Sequence, residues 1–161
     1  MTEILEKTEQ DYGGKHHRPL RGYAGILGAY GGTVAVAAAA TMLAGRRVPD
    51  HVGVMDLLLM AACTHKVSRR LSKDPVTSPL RAPFTRYEGE GGPAEVNEEP
   101  RGAVGELLAC PFCLAQWVAT AYAAGLVLSP KVTRLVGATM TAVALSDWLQ
   151  LAYAKLMKSA E

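Results

Sequence analysis

Two long uncharged stretches constrain the fold of this chain more than any other feature. Residues 22–45 and 107–130 each run for 24 positions without a charged side chain. A bilayer core about 30 Å thick is crossed by about 20 helical residues, whereas buried helices of soluble proteins need only about 10 to 14 apolar ones. Both stretches therefore predict membrane spans rather than the core of a soluble, alanine-rich bundle. The mean hydropathy of +0.09 is modest because a polar tail and a polar loop lower it.

Two further apolar segments are each interrupted by one aspartate, Asp56 in residues 52–64 and Asp147 in residues 135–153. One aspartate within a span costs about 2.5 to 3.5 kcal/mol, which neighbouring leucine, valine and methionine residues can offset. We therefore expect an all-α integral membrane bundle of four transmembrane helices. In residue numbers, the membrane domain is 22–161, and its spans cover about 22–45, 51–72, 107–129 and 132–156.

The distribution of basic residues predicts the orientation. With the amino terminus inside, thirteen lysines and arginines lie on the inner side and four on the outer side. The positive-inside rule then places both termini in the cytoplasm, and we expect a multi-pass membrane protein. Residues 1–21 form a polar cytoplasmic tail. The apolar run after it exceeds the 7 to 15 residues of a signal peptide, so we expect a retained anchor. The His16-His17 pair lacks nearby partner ligands and is interpreted as solvated.

The cytoplasmic loop 73–106 has a basic half and an acidic half. Prolines at positions 75, 79 and 83 forbid a regular helix in the first half, and residues 88–102 resemble a mobile, glycine-rich spacer. Basic and hydroxyl side chains near the inner membrane surface suit phosphate groups. The predicted anion- and lipid-binding residues are Lys66, Arg69, Arg70, Thr77, Arg81 and Arg86. The net charge of +2 gives no reason to expect nucleic acid.

Three motifs along the chain suggest a family. They are His65-Lys66-x-Ser68-Arg69, Asp74-x-x-Thr77-x-x-x-Arg81-x-Pro83-Phe84, and Gly105-Glu106-Leu107-Leu108-x-Cys110-Pro111-Phe112-Cys113-x-x-x-Trp117. In these motifs the chain resembles bacterial membrane proteins of the domain of unknown function 1360 family. The resemblance covers about two thirds of the chain, from the second span onward. It implies a small polytopic protein of the bacterial inner membrane and supplies no reaction or substrate.

The Cys110-Pro111-Phe112-Cys113 motif is the strongest candidate for chemistry. A cysteine just before a helix that starts with proline can be held as a thiolate by backbone N–H groups. A thiol oxidoreductase would then use Cys110 as nucleophile and Cys113 as resolving thiol, with Asp147 or His65 handling a proton. Nearby Lys66, Arg69 and Arg70 would lower the pKa of Cys110. No βαβ pattern surrounds the motif, so a thioredoxin fold is excluded. The alternative is a pair that only packs and caps a helix start.

A structural zinc site is the other interpretation of the cysteines; otherwise we expect no cofactor. Its ligands would be Cys63, His65, Cys110 and Cys113. The spacing disfavours this site, because Cys63 and His65 differ by two positions and point to opposite sides of a helix. A disulfide is also disfavoured in the reducing cytoplasm.

The remaining candidate is Asp147, an ionisable group within a span. Such groups are functional or paired by default, and we expect Asp147 to meet His65, Lys66 or Ser68. The Gly28-x-x-x-Gly32 spacing favours close helix packing and predicts a homo-oligomer or a membrane-protein partner. The function expected first is a non-enzymatic component that binds anionic lipid headgroups or a partner through the basic loop. Transport of small molecules lacks the support of internal repeats.

Overall fold

The computed structural model of this protein describes residues 8–9, 11–13 and 18–160. Its helices are α1 Leu20–Leu43, α2 Val54–Lys73, α3 Ser78–Arg81, α4 Gly102–Ala109, α5 Pro111–Leu128 and α6 Pro130–Ala160. A 3₁₀ turn, Pro75–Thr77, joins α2 to α3, and strands β1 Thr85–Gly92 and β2 Glu95–Pro100 form an antiparallel hairpin between α3 and α4. Much of the expected tail, with the His16-His17 pair, lies outside the described residues.

Among the described residues, three helices are long and apolar enough to cross a membrane: α1, α5 and α6. Helix α2 is not one of them, because four basic residues follow its apolar first half. These residues are Lys66, Arg69, Arg70 and Lys73. Three of the four expected apolar spans are therefore confirmed as helices long and apolar enough to cross a membrane.

Helices α2 and α6 lie side by side and run in the same direction. Arg134 near the start of α6 forms a bidentate ion pair with Asp56 near the start of α2, at 2.7 and 2.8 Å. Further along both helices, Lys66 pairs with Asp147. Both residues of the second pair come later in their helices than those of the first pair, so α2 and α6 run parallel. Helix α6 folds back from α5 through Ser129, so α5 runs opposite to both.

Helix α1 runs parallel to α5. The Tyr23 hydroxyl donates to Glu106, which precedes α5. Tyr30 follows about two turns later in α1 and lies beside Trp117 and Thr120 of α5. The ring centroids of Tyr30 and Trp117 are 5.3 Å apart in an edge-to-face arrangement. The four long helices therefore alternate in direction along the chain, as in an up-down bundle.

The glycine-rich face of α1 is not used for packing within the described chain. A Cβ atom added at Gly28 or Gly32 would meet no atom within 4 Å, and α1 has no buried residue. The partner predicted for this face therefore stays a prediction.

The described chain is mostly helical, as expected, but a hairpin of two strands, which was not expected, stands where the mobile acidic spacer was predicted. Strand β1 pairs with β2 from Thr85 opposite Pro100 to Gly92 opposite Glu95. Alternation along β2 turns Val96 and Glu98 inward, where Val96 is buried. The five glutamates of this segment suggested a solvated spacer, but composition does not show that one of them has a buried cationic partner.

Helix α4 is held against the hairpin through a position that only glycine can occupy. The carbonyl oxygen of Phe84 accepts the N–H of Arg101 at 2.8 Å, and a Cβ added at Gly105 would collide with the same oxygen. The backbone of α4 can therefore approach the chain between α3 and β1 only because Gly105 has no side chain.

We expect Gly105→Ala to lower the free energy of unfolding by about 1 to 3 kcal/mol, the usual cost of overpacking. Gly28→Ala is the matched control, because the same methyl group enters open space there. Thermal unfolding in detergent compares the two variants. Equal stability of Gly105→Ala and Gly28→Ala would contradict the close approach.

Candidate functional site at the start of helix α5

The two thiols of the C-P-x-C motif lie next to each other at the start of α5. Their sulfur atoms are 2.7 Å apart, and the Cys110 Sγ also accepts the backbone N–H of Cys113 at 3.2 Å. Both cysteines are free thiols; Cys110 is half-buried and Cys113 is exposed. The pair is therefore reachable and already has the proximity that disulfide exchange requires.

Local sequence explains this geometry. Cys110 precedes a proline, which excludes helical backbone, and its φ and ψ are −102° and 108°. Pro111 suits the first helical position, where no N–H is needed. Cys110 thereby becomes the residue that caps α5, and its side chain faces the exposed N–H groups of the first turn.

The charged side chain nearest in sequence to the thiols is the carboxylate of Glu106, in the last turn of α4. This carboxylate accepts the hydroxyl of Tyr23 and lies 3.7 Å from the guanidinium of Arg18. Two residues at the start of α1 thus hold Glu106 in place.

The cations expected near Cys110 are instead paired with other carboxylates. Lys66 pairs with Asp147, so the expected partner of Asp147 is confirmed. Arg69 pairs with Glu95 of the hairpin. Arg70 lies 3.8 Å from Asp74, one helical turn further along the chain.

The residues predicted to transfer a proton or to bind zinc are in contact with other groups of the chain or are buried. Asp147 is engaged by Lys66, and the ring of His65 lies 6.3 Å from that of Trp148. Cys63 is buried within α2, whereas His65 on the same helix is exposed. The part of the chain described by the structure contains no group of three His, Cys, Asp or Glu side chains that could hold a metal. The zinc set is not assembled, because residues two apart on a helix diverge.

Arg81 is a buried structural residue, a role that the sequence did not predict. Its side chain is 0% exposed and forms a bidentate ion pair with Glu98, at 2.8 and 2.9 Å. The remaining N–H groups donate to the carbonyl oxygens of Leu71 and Asp74 and to the hydroxyl of Thr77. The guanidinium therefore joins the end of α2, the turn after it and the hairpin, and it is not accessible to an external anion.

Glu98 is equally well bound. The hydroxyls of Ser78 and Thr85 donate to its two oxygens at 3.1 and 2.9 Å. Hydrogen bonds from Arg81 are the largest cause that holds the pKa of the Glu98 carboxyl below its usual range.

The other predicted anion-binding residues are also neutralised within the chain. Arg86 lies 3.3 Å from Glu88, and the Thr77 hydroxyl donates to the carbonyl oxygens of Arg70 and Asp74. Together with the pairs of Lys66, Arg69, Arg70 and Arg81 described above, every cation of that set has a carboxylate partner.

A family model matches the part of the chain that contains the thiol pair. The model described as protein of unknown function (DUF1360) matches residues 58–153. The chain belongs to this family. The DUF1360 region includes α2 from Leu58, the hairpin, the thiol pair and Asp147, and it excludes α1. Comparison with curated proteins and with solved structures gives no match.

Two residues with partners elsewhere in the fold, Glu106 and Glu98, were given no role from the sequence. Glu106 belongs to the motif that ends in the C-P-x-C pair, but its partners Tyr23 and Arg18 lie far away in the chain. Glu98 is one of five glutamates in the hairpin segment, and no local pattern distinguishes it from the others. Both roles depend on contacts between distant parts of the chain.

We expect Arg81→Met to lower the free energy of unfolding by about 3 to 5 kcal/mol at pH 7, because it leaves the Glu98 carboxylate buried without its partner. Denaturant unfolding in detergent measures the loss. Arg86→Met is the matched control, since Arg86 is exposed. Comparable losses in the two variants would contradict the burial of the pair.

The same pair predicts a dependence on pH. A carboxyl whose pKa is lower in the folded chain adds stability above its unfolded pKa and loses it as the pH falls through the lower folded pKa. The protection factors of the β1–β2 amides against hydrogen exchange, which are corrected for the intrinsic pH dependence of exchange, should therefore fall on acidification below the ordinary pKa of glutamate. In Glu98→Gln this fall should be largely absent. Unchanged pH dependence in that variant would refute the assignment.

Proposed function

We propose that this protein is a membrane-bound thiol–disulfide oxidoreductase. The observation that carries the proposal is the contact of two free, reachable thiols at the start of α5, with the Cys110 sulfur facing a backbone N–H. Backbone donors at a helix start favour the thiolate, which is the reactive form of cysteine. Cys110 is therefore the nucleophile and Cys113 the resolving thiol.

The reaction has two exchange steps. The Cys110 thiolate attacks one sulfur of a substrate disulfide, forms a mixed disulfide and releases the first substrate thiol. Cys113 then attacks the Cys110 sulfur, which releases the second substrate thiol and leaves a Cys110–Cys113 disulfide. The substrate gains two electrons, and two protons pass from the cysteines to the two substrate thiols. A dithiol reductant reverses both steps on the protein and restores the thiols.

We further propose that α2 is the fourth span. Its support is the alternation of helix direction and the pairing of its intramembrane charges with α6. Asp56 and Lys66 are about 15 Å apart along α2, and each has its counter-charge on α6. Pairing lowers the cost of placing charged side chains in a bilayer, so α2 can lie beside α6 despite its polarity.

Four spans place both termini, the hairpin and the thiols on one side. The excess of lysine and arginine on that side favours the cytoplasm. The expectation of a bacterial inner membrane stays a prediction. So does anion or lipid binding by the basic loop, and the carboxylate pairing of its cations counts against it.

We expect glutathione disulfide to oxidise the purified protein to a Cys110–Cys113 disulfide, because the two sulfurs are already adjacent. Mass spectrometry after alkylation locates the bond. Cys110→Ser and Cys113→Ser should abolish it, whereas Cys63→Ala should not, since Cys63 is buried in α2. A wild-type protein that keeps all three thiols under these conditions would refute the proposed activity.

The topology is tested with single cysteines in a variant whose three native cysteines are replaced by alanine. An impermeant maleimide should label Val48→Cys, between α1 and α2, in intact cells. Glu99→Cys in the hairpin and Ser159→Cys at the end of α6 should react only after permeabilisation. Labelling of Glu99→Cys in intact cells would show that α2 does not cross.

A further inference from the structure

Three lysines in the last turns of α2 and α6 have no carboxylate partner. Lys73 ends α2, and Lys155 and Lys158 lie in the last two turns of α6. Among the described residues, no carboxylate lies within ion-pair distance of any of the three. Asp74 follows Lys73 directly, but its carboxylate lies 3.8 Å from the guanidinium of Arg70. These lysines therefore differ from the cations of the predicted anion-binding set, each of which is paired.

The ion pair between Lys66 and Asp147 fixes the heights of the three lysines along the two helices. In α2, Lys73 comes seven residues after Lys66. In α6, Lys155 and Lys158 come eight and eleven residues after Asp147. At 1.5 Å per residue, these steps correspond to about 10, 12 and 16 Å along parallel helices. The three lysines therefore lie within about 6 Å of one another in height.

Helical periodicity turns two of these side chains toward the neighbouring helix. Seven residues are about two turns, so Lys73 lies on the face of α2 that brings Lys66 to α6. Eleven residues are about three turns, so Lys158 lies on the face of α6 that brings Asp147 to α2. Lys155 lies one turn before Lys158 and is exposed. The three ammonium groups therefore border the space between the ends of α2 and α6.

The apolar part of α6 shows where this end lies relative to a bilayer. Residues 135–154 contain one charged side chain, and Arg134 and Lys155 flank them. Twenty helical residues span about 30 Å, which is the thickness of the hydrocarbon core. Lys155 thus lies at the edge of the core, and Lys158 lies about 4.5 Å further out, within a headgroup layer about 5 to 7 Å thick. The exposed ring of Tyr153 is typical of this boundary.

We propose that Lys73, Lys155 and Lys158 bind the phosphate of an anionic phospholipid. Lysine binds phosphate as a point charge, and basic clusters beside the membrane end of a helix attract anionic lipids. Phospholipid phosphates are the anions present at this height, and the apolar helix itself carries the lysines to them. The site shares no residue with the lipid-binding set predicted for the basic loop, and it does not depend on the thiol chemistry.

Trp148 provides a local probe of this lipid. It lies seven residues, about two turns, before Lys155, so both are on one face of α6, and its side chain is 55% exposed. Trp117→Phe leaves Trp148 as the remaining tryptophan of the chain. Bromine atoms on an acyl chain quench the fluorescence of a tryptophan that they contact. This variant is reconstituted in vesicles of equal parts phosphatidylglycerol and phosphatidylcholine, with one lipid brominated at a time, and the two quenching levels give the lipid preference beside Trp148.

We expect phosphatidylglycerol to be preferred by at least about fivefold, the effect of one basic residue at an anionic surface. Replacing Lys73, Lys155 and Lys158 together by glutamine should lower the preference to less than about twofold, because no cation then remains at the site. Sodium chloride at about 1 M should do the same by screening the charges. The matched control replaces three exposed cations without a carboxylate partner at the opposite end of the molecule, and it should leave the preference unchanged. Its substitutions are Arg46→Gln, Arg47→Gln and Lys131→Gln.

Three results would each overturn the lipid site. They are equal quenching by the two brominated lipids, a preference that survives the triple lysine variant, and an equal loss in the control, which would indicate a response to total charge alone. If the triple variant does not fold, Lys155→Gln with Lys158→Gln replaces it, since both side chains are exposed at the end of α6, and the preference should fall by at least about half. Cys110→Ser should leave the preference unchanged, so failure of the oxidoreductase activity and failure of the lipid site are distinguishable.

Discussion

The buried pair of Arg81 and Glu98 is the contact on which the chain between α2 and α4 depends. A buried charge is stable only when its donors and acceptors are satisfied, and here five chain segments supply partners to one guanidinium and one carboxylate. The pair fastens the hairpin to the end of α2. Helix α4 then packs at Gly105 against the hairpin and the backbone before it. The next residue after α4 is the capping cysteine of α5. The position of the thiols therefore follows from an ion pair that lies outside the membrane-length helices.

The same principle operates between α2 and α6. Asp56 and Lys66 would each be costly in an apolar environment, but both have counter-charges on the neighbouring helix. Several charged side chains that the sequence suggested as ligand-binding groups therefore form ion pairs within the molecule. This explains why the basic loop, which had the strongest anion-binding composition, presents few unpaired cations.

Sequence patterns correctly predicted the features that depend on residues close together in the chain. The apolar runs predicted α1, α5 and α6, and Pro111 predicted the start of α5 with Cys110 as its cap. The pairing of Asp147 with Lys66 was also expected, because an ionisable group in a span needs a partner. Local patterns failed for the hairpin, for Arg81 and for Glu106. For Arg81 and Glu106 the deciding partner is far away in the chain: Arg81 and Glu98 are 17 residues apart, and Tyr23 and Glu106 are 83 apart.

The sequence by itself determined the lengths of the apolar helices, their order and the proximity of two thiols around a proline, since hydrophobicity and proline geometry act over a few residues. Only the tertiary structure decided which charged side chains form internal pairs, such as Arg81 with Glu98 and Arg18 with Glu106. Electrostatic partners are chosen by distance in space, and a chain with 17 basic and 15 acidic side chains allows many pairings that composition cannot distinguish.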